Sequence, residues 1–286
     1  MLLPEDIEYC RKLHQKHGKS YYFATRFFSE KIRNATFVLY AFFRIPDEIV
    51  DNPETMGDMK TAQAKLEDWR DEWKQAYEKR NATHPALRAT AEVFHTYQIP
   101  FEYSESFLNA MIQDLTVARY SNYESLQEYM YGSAAVVGLM MSYVIGFSTP
   151  DALPYATKLG YAMQLTNFLR DIDEDFVQRG RIYLPEEDMK HFGVSETHIK
   201  EKICDEKFVA LMKFEIERAR SLYREAEIGI AMLHKDGRFA VRAASRLYGA
   251  ILHKIEQKNY NIFSGRVRTS TAEKLWLVCK IPFTTL

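Results

Sequence analysis

The sequence holds only three cysteines, Cys10, Cys204 and Cys279, scattered and in no CxxC pair. An odd number of isolated thiols argues against a disulfide-stapled scaffold and fits free cysteines in a reducing compartment. Neither sign of charge is in surplus: 38 Lys and Arg stand against 39 Asp and Glu, a net charge of −1. Nucleic-acid binding would call for a basic excess on one face. The longest apolar run, Ala134 to Phe147, is broken by Gly138, Ser142 and Gly146 and falls short of the roughly 20 residues that span a bilayer. Residues Met1 to Asp6 carry acids where an export signal needs a basic segment and a long apolar run. No segment alternates as a strand does, and no low-complexity stretch or linker interrupts the chain. These absences predict a cytoplasmic protein, at most peripheral to the membrane.

Apolar residues at helical spacing are abundant. Of 286 residues, 47% are hydrophobic and 14% aromatic, enough to fill a core and line an apolar pocket as well. Almost every segment repeats apolar residues three and four apart, so the chain is predicted to be all-α, a single domain over residues 1–286 with about ten helices around a central cavity. Helices are expected over Leu3 to His17, from Ser29 to Asp51, Thr61 to Arg80, Ala86 to Tyr97, Phe101 to Ala118 and Tyr123 to Phe147. Further ones are expected over Tyr155 to Phe176, Phe208 to Leu233 and Arg238 to Gln257, with shorter ones after Pro185 and from Ser195 to Glu201. The tail from Glu273 is amphipathic and expected to dock on the body. Trp69 and Trp73, four apart on a charged helix, read as core packing. In Ser133 to Gly138 small residues recur every three or four positions, which allows close approach of another helix or of a ligand chain.

Two stretches carry chemistry. Residues four apart on a helix share a face, so Asn167, Asp171 and Asp175 form one stripe and Arg170 and Glu174 a neighbouring one. Like charges one turn apart repel by a few tenths of a kcal/mol, which makes little sense unless a cation sits over the stripe. Oxygen ligands without Cys or His suit a hard ion such as Mg2+, which usually binds one or two carboxylates plus substrate phosphates. A lone DxxxD is usually a solvated acidic face. A second copy changes that: Asp47-Glu48-Ile49-Val50-Asp51 ends an aromatic-rich helix far upstream. Two such helices suggest metal-binding walls facing each other across a cavity. Pro46, inside the first, is expected to bend it and help aim Asp47 and Asp51.

With both acid motifs placed, the chain resembles the squalene and phytoene synthase family over nearly its whole length. The residues that carry the resemblance are His17-Gly18-Lys19-Ser20-Tyr21, Tyr40 through Arg44 to Asp51, Tyr129 to Gly138, Gln164 through Asp175, Arg181 to Pro185, and Ala244 to Tyr248. The resemblance implies an all-helical domain with a deep apolar channel that joins two prenyl diphosphates head to head with Mg2+, Mn2+ being the alternative ion. It assigns the metals to Asp47, Asp51, Asn167, Asp171 and Asp175, with Glu48 and Glu174 acting through water. It assigns substrate contacts to His17, Lys19, Ser20, Tyr40, Arg44, Tyr129, Gln164, Arg170 and Tyr248, and a closing role over the phosphates to the Arg266–Arg268 stretch. Tyr248 or the released diphosphate would accept the final proton.

Within the family, Pro46 to Asp51 and Ser133 to Met141 look most like the phytoene branch, which joins two C20 geranylgeranyl diphosphates without NADPH. Thr25 points the same way: C15-using relatives carry a bulky aromatic there that would shorten the channel. The alternative is a C15 enzyme making squalene, dehydrosqualene or presqualene diphosphate; a eukaryotic-type squalene synthase would carry a C-terminal membrane helix. A head-to-tail elongase or terpene cyclase does not match the segment from Arg170 to Pro185, and a non-catalytic homologue would be expected to have lost metal ligands. Asp173 departs from the family, which more often has glycine there; its charge is expected to be solvated. Expected partners are prenyl diphosphates, with transient membrane contact and no nucleic acid, in a monomer or homodimer.

Overall fold

A computed structural model describes residues 2–51 and 58–281, Ser20 through its backbone only. Among the described residues the regular structure is helical, apart from one isolated bridge between Phe147 and Leu233. In chain order the helices are α1 (Pro4–His17), α2 (Lys19–Thr25), α3 (Glu30–Asp51), α4 (Met59–Lys79), α5 (Pro85–Tyr97), α6 (Phe101–Gln113) and α7 (Tyr123–Met130). A π turn (Tyr131–Ala135) joins α7 to α8 (Val136–Ile145). Then follow α9 (Ala152–Arg179), α10 (Glu186–His191), α11 (Glu196–Lys200), α12 (Glu206–Ile230), α13 (Lys235–Gln257) and α14 (Thr271–Cys279).

Helix α9 is the centre of the molecule. It packs along α12 and also touches α8, the π turn and α13. Its approach to the α7–α8 run is close because both sides are small: a Cβ on Gly138 would meet the Ala156 carbonyl oxygen at 2.8 Å, and one on Gly160 the Ala134 carbonyl oxygen at 2.8 Å. The small-residue stripe therefore serves helix packing. Ser133, Ala134, Val137 and Gly138 also line the central cavity, so it serves the ligand space too. Gly180 ends α9 in the left-handed region, φ 65°. Its N–H donates to the Phe176 carbonyl at 2.9 Å, and that of Arg181 to the Asp175 carbonyl at 3.1 Å. This closure satisfies the last carbonyls and turns Arg181 back toward the cavity.

One buried apolar cluster runs from Cys10 to Val267 and includes Trp69 and Trp73. The indole N–H of Trp73 donates to Ser104 at 2.9 Å, the partner a buried indole needs. A second, small cluster packs α2 and α14 on α13 through Ala24, Ala243, Leu247 and Val278. From Glu273 to Ile281 the tail is thus docked on the body as expected, residues 282–286 lying outside the described residues. All three cysteines are free; burial pushes the Cys10 thiol up to about 12. No described helix is long and apolar enough to cross a membrane.

One expectation changes. Helix α6 stops at Gln113 instead of reaching Ala118. The strand-like segment after it accepts backbone bonds from the chain beyond α9: Ile182 N–H to Ala118, Glu186 to Tyr120 and Glu187 to Ser121. Those cross-chain bonds replace helical ones. Pro46 sits buried inside α3, and the helix runs on through it to Asp51. The missing N–H costs one rung of the ladder without ending the helix.

Candidate active site

The last turns of α3 and the second half of α9 meet at the mouth of the cavity. Arg179, one turn beyond Asp175, joins them. Its Nε lies 2.8 Å from Asp51 Oδ1 and its Nη2 2.8 Å from Oδ2, while Nη1 lies 3.1 Å from Asp175 Oδ1. One guanidinium thus spans an acid from each wall, and the two acid motifs face each other. Arg181 Nη1 stands 3.6 Å from Asp51 on the same side.

The remaining acids are held by other arginines. Arg44 donates to Asp47 at 2.5 Å and to Glu48 at 3.0 Å, and His17 Nδ1 lies 3.1 Å from Glu48. Arg170 grips Asp171 through two N–H groups. Arg266 adds Nε at 2.9 Å from Asp171 and Nη1 at 3.0 Å from Glu174. Five arginines on six carboxylates mark a place where negative charge is concentrated beyond what one helix face needs.

Burial strains that concentration. The Asp47 carboxyl is raised to about 6 by burial and then by Asp51, and the Asp175 carboxyl to about 7 by burial and then by Asp171. The Asp47 side chain keeps 42% of its surface accessible, but that surface opens into the cavity, walled by protein, where water screens less than in bulk. Carboxylates so placed gain most from a cation. The donor set, all oxygen, fits a hard divalent ion completed by ligand phosphates. Among the described residues no three of these groups converge tightly enough to form a closed metal cage.

Beneath the mouth the cavity, about 550 Å³, runs between α8, α9, α12 and α13 and is mostly apolar, with Met141, Ile145, Leu159 and Leu233 in its walls. This is the size of a small-molecule site. His17, Tyr40, Arg44, Asp47, Asp51, Tyr129, Gln164, Asn167, Arg170, Asp171, Asp175 and Tyr248 all line it. The Asn167 amide donates to Gln164 at 3.3 Å. Tyr40 stacks flat on buried His14, centroids 3.9 Å apart.

Lys19, Glu48 and Thr25 are absent from the lining. Lys19 is exposed, the side chain of Ser20 lies outside the described residues, and Thr25 is buried with its hydroxyl returned to the Tyr21 carbonyl at 2.9 Å. Its neighbour Ala24 lines the cavity instead, so the channel-length argument from Thr25 loses its geometric basis. Asp173 pairs with Lys202 at 2.8 Å rather than standing solvated alone. Residues that the sequence did not single out are Asp114, Arg179 and Tyr183, all in the lining. The i,i+4 spacing of Asp175 and Arg179 was a readable signal. Asp114 gave none, since its partners lie far along the chain.

The description of the squalene/phytoene synthase family matches residues 14–273. The 15-cis-phytoene synthase of Synechocystis sp. is 36% identical over 286 residues, covering 95% of this chain and 82% of the relative. The 15-cis-phytoene synthase of Synechococcus elongatus is 35% identical, covering 98% and 92%. Among solved structures, a dehydrosqualene synthase in complex with ligand superposes with a TM-score of 0.89 at 31% identity, covering 96% of this chain and 95% of that one.

Proposed function

The chain belongs to the squalene/phytoene synthase family and is a prenyltransferase, and on that premise we propose that it joins two geranylgeranyl diphosphates head to head to give phytoene. The observation that carries this reading is the pair of acid walls facing across Arg179 above an apolar cavity. A pyrophosphate headgroup needs the first and two isoprenoid chains need the second. The C20 chain length rests on the relatives named phytoene synthases.

Mg2+ would be held by Asp47, Asp51, Asn167, Asp171 and Asp175, with Glu48 and Glu174 reached through water. When bound it supplies positive charge against the leaving diphosphate. The chain's own cations add to that charge: Arg44, Arg170, Arg179 and Arg266 already lie on the acids of the mouth, where donors fixed in advance stabilise developing charge most. Lining positions of His17, Tyr40, Gln164 and Tyr248 suit contacts to the headgroup. Lys19, exposed and outside the lining, takes part only if the mouth rearranges around a ligand.

Ionisation of the first substrate leaves an allylic cation, which the apolar cavity keeps from water and holds against the double bond of the second. Bond formation, with loss of a proton as the three-membered ring closes, gives a cyclopropylcarbinyl diphosphate. A second ionisation, rearrangement and loss of a proton to diphosphate or Tyr248 gives the conjugated triene. No electron pair is gained or lost overall, so no nicotinamide takes part. Product analysis with C15 and C20 substrates and Mg2+, with and without NADPH, tests the proposal: a C40 hydrocarbon without NADPH is expected, and products from C15 alone overturn it.

A further inference from the structure

Asp114 caps the end of α6 and lies 8% exposed in the cavity wall. Two phenols converge on it. Tyr129, from α7, donates to Oδ2 at 2.7 Å, and Tyr183, from the segment after α9, donates to Oδ1 at 3.0 Å. Behind them Arg181 donates to the Asp114 carbonyl at 2.8 Å. The tyrosine rings stack with Phe168: Phe168 and Tyr183 lie 4.1 Å apart at 8°, and Tyr129 and Tyr183 5.6 Å apart at 17°. All five residues line the cavity.

A phenol has a single proton, and an ionised carboxylate only accepts. With both protons committed to Asp114, neither hydroxyl has one left to point at a ligand. We infer that Asp114 is a positioning residue for the carbocation steps: by taking the hydroxyl protons of Tyr129 and Tyr183 it makes these two side chains present only ring faces and oxygen lone pairs to the reacting chains. The negative faces of aromatic rings attract cations, and dipoles fixed before the reaction need no reorganisation during it.

An asparagine in the same place would also fill the space, but its amide must donate on one side, which turns one tyrosine proton toward the cavity. Burial raises the Asp114 carboxyl to about 6, a cost that packing alone would not require. The inference rests on the head-to-head reading above but not on its chain length.

The test uses the full chain with Mg2+ and whichever prenyl diphosphate the wild type converts, measuring diphosphate released and hydrocarbon formed. In Asp114→Asn the ratio of diphosphate to hydrocarbon should rise at least several-fold, with prenyl alcohols appearing and KM little changed. Tyr129→Phe should show the same signature, and the double variant should be no worse than the worse single one, as for residues acting through one contact. Tyr183→Phe, which leaves the carboxylate untouched, should raise the ratio even if Asp114→Asn fails to fold. A general structural defect lowers both quantities together; an unchanged ratio in Asp114→Asn and Tyr183→Phe, or additive effects in the double variant, overturns the inference. Wild-type protein that makes only C15 products overturns the C20 reading, while the ratio in the variants still decides this one.

Discussion

Two clusters in this molecule are built from the same parts. At the cavity mouth, Arg179 spans Asp51 and Asp175. Between α10 and α12, Arg218 spans Asp188 at 2.9 Å and Glu215 at 2.7 Å. Each contains an acid raised to about 7 mainly by burial, Asp175 in one and Glu215 in the other. They differ in what lies beside them. Arg218 is sandwiched by Tyr123 and Phe214, 4.2 and 4.7 Å from the ring centroids, and the Glu215 side chain is 1% exposed. No member of that cluster lines the cavity, whereas Asp47, Asp51, Asp171, Glu174 and Asp175 all do. A perturbed carboxyl therefore does not by itself mark function. An acid pair marks a site when it opens onto a space a ligand can enter; closed by aromatic rings, the same pair is a clamp.

The largest effect should come from emptying the open cluster. Asp47→Ala or Asp171→Ala is expected to lower kcat by a factor on the order of 1,000, the scale of losing a main electrostatic contact to a leaving group, with circular dichroism unchanged. Near-normal turnover in either variant would break the contrast. Next comes the clamp: Arg218→Met leaves two buried carboxylates without their cation and should destabilise the fold by about 3 kcal/mol, lowering Tm by roughly 5–10 °C. Turnover per folded molecule should be retained. Loss of activity in protein that is still folded would mean the clamp belongs to the site.

Much of the open cluster was readable because helix periodicity is local. Asp47 with Asp51, and Asn167 with Asp171 and Asp175, needed only the rule that residues four apart share a face. That the two faces oppose each other was suggested by their duplication, and the geometry around Arg179 bears it out. Asp114 was not readable. Its partners come from positions 129, 181 and 183, and nothing at position 114 itself distinguishes it from the end of any surface helix. Thr25 shows the opposite error: a position inferred from resemblance to lie on the channel turns its hydroxyl into its own helix, and the neighbour on α2 faces the cavity. Nothing local marks Asp188, Glu215 and Arg218 as a clamp, because burial is a tertiary property.

The raised Glu215 carboxyl gives a smaller effect with a definite sign. A carboxyl whose folded pKa lies above its unfolded value contributes stability that is full below about 4.5 and lost as pH rises through about 7. Glu215→Gln cannot lose it. The stability difference between Glu215→Gln and wild type should therefore move in favour of the variant between pH 5 and 7, by about 2 kcal/mol. Denaturant unfolding at the two ends of that range checks it, and a difference independent of pH would refute the assignment.

The smallest expected effect separates the two clusters most finely. If Arg179 holds apart two acids that a divalent ion can also satisfy, removing it should matter only while no such ion is present. Arg179→Gln leaves Asp51 and Asp175 facing each other with less positive charge between them, at a cost of about 1 kcal/mol for a partly exposed pair, or a Tm drop of a few degrees. Mg2+ with inorganic diphosphate should erase that drop by binding the folded form, and should raise Tm more in Arg179→Gln than in wild type. The same addition should leave the Arg218→Met deficit in place, since no ion can enter a cluster closed by Tyr123 and Phe214. Equal deficits in Arg179→Gln with and without the ion would make the mouth a second clamp and remove the physical ground for treating the two differently.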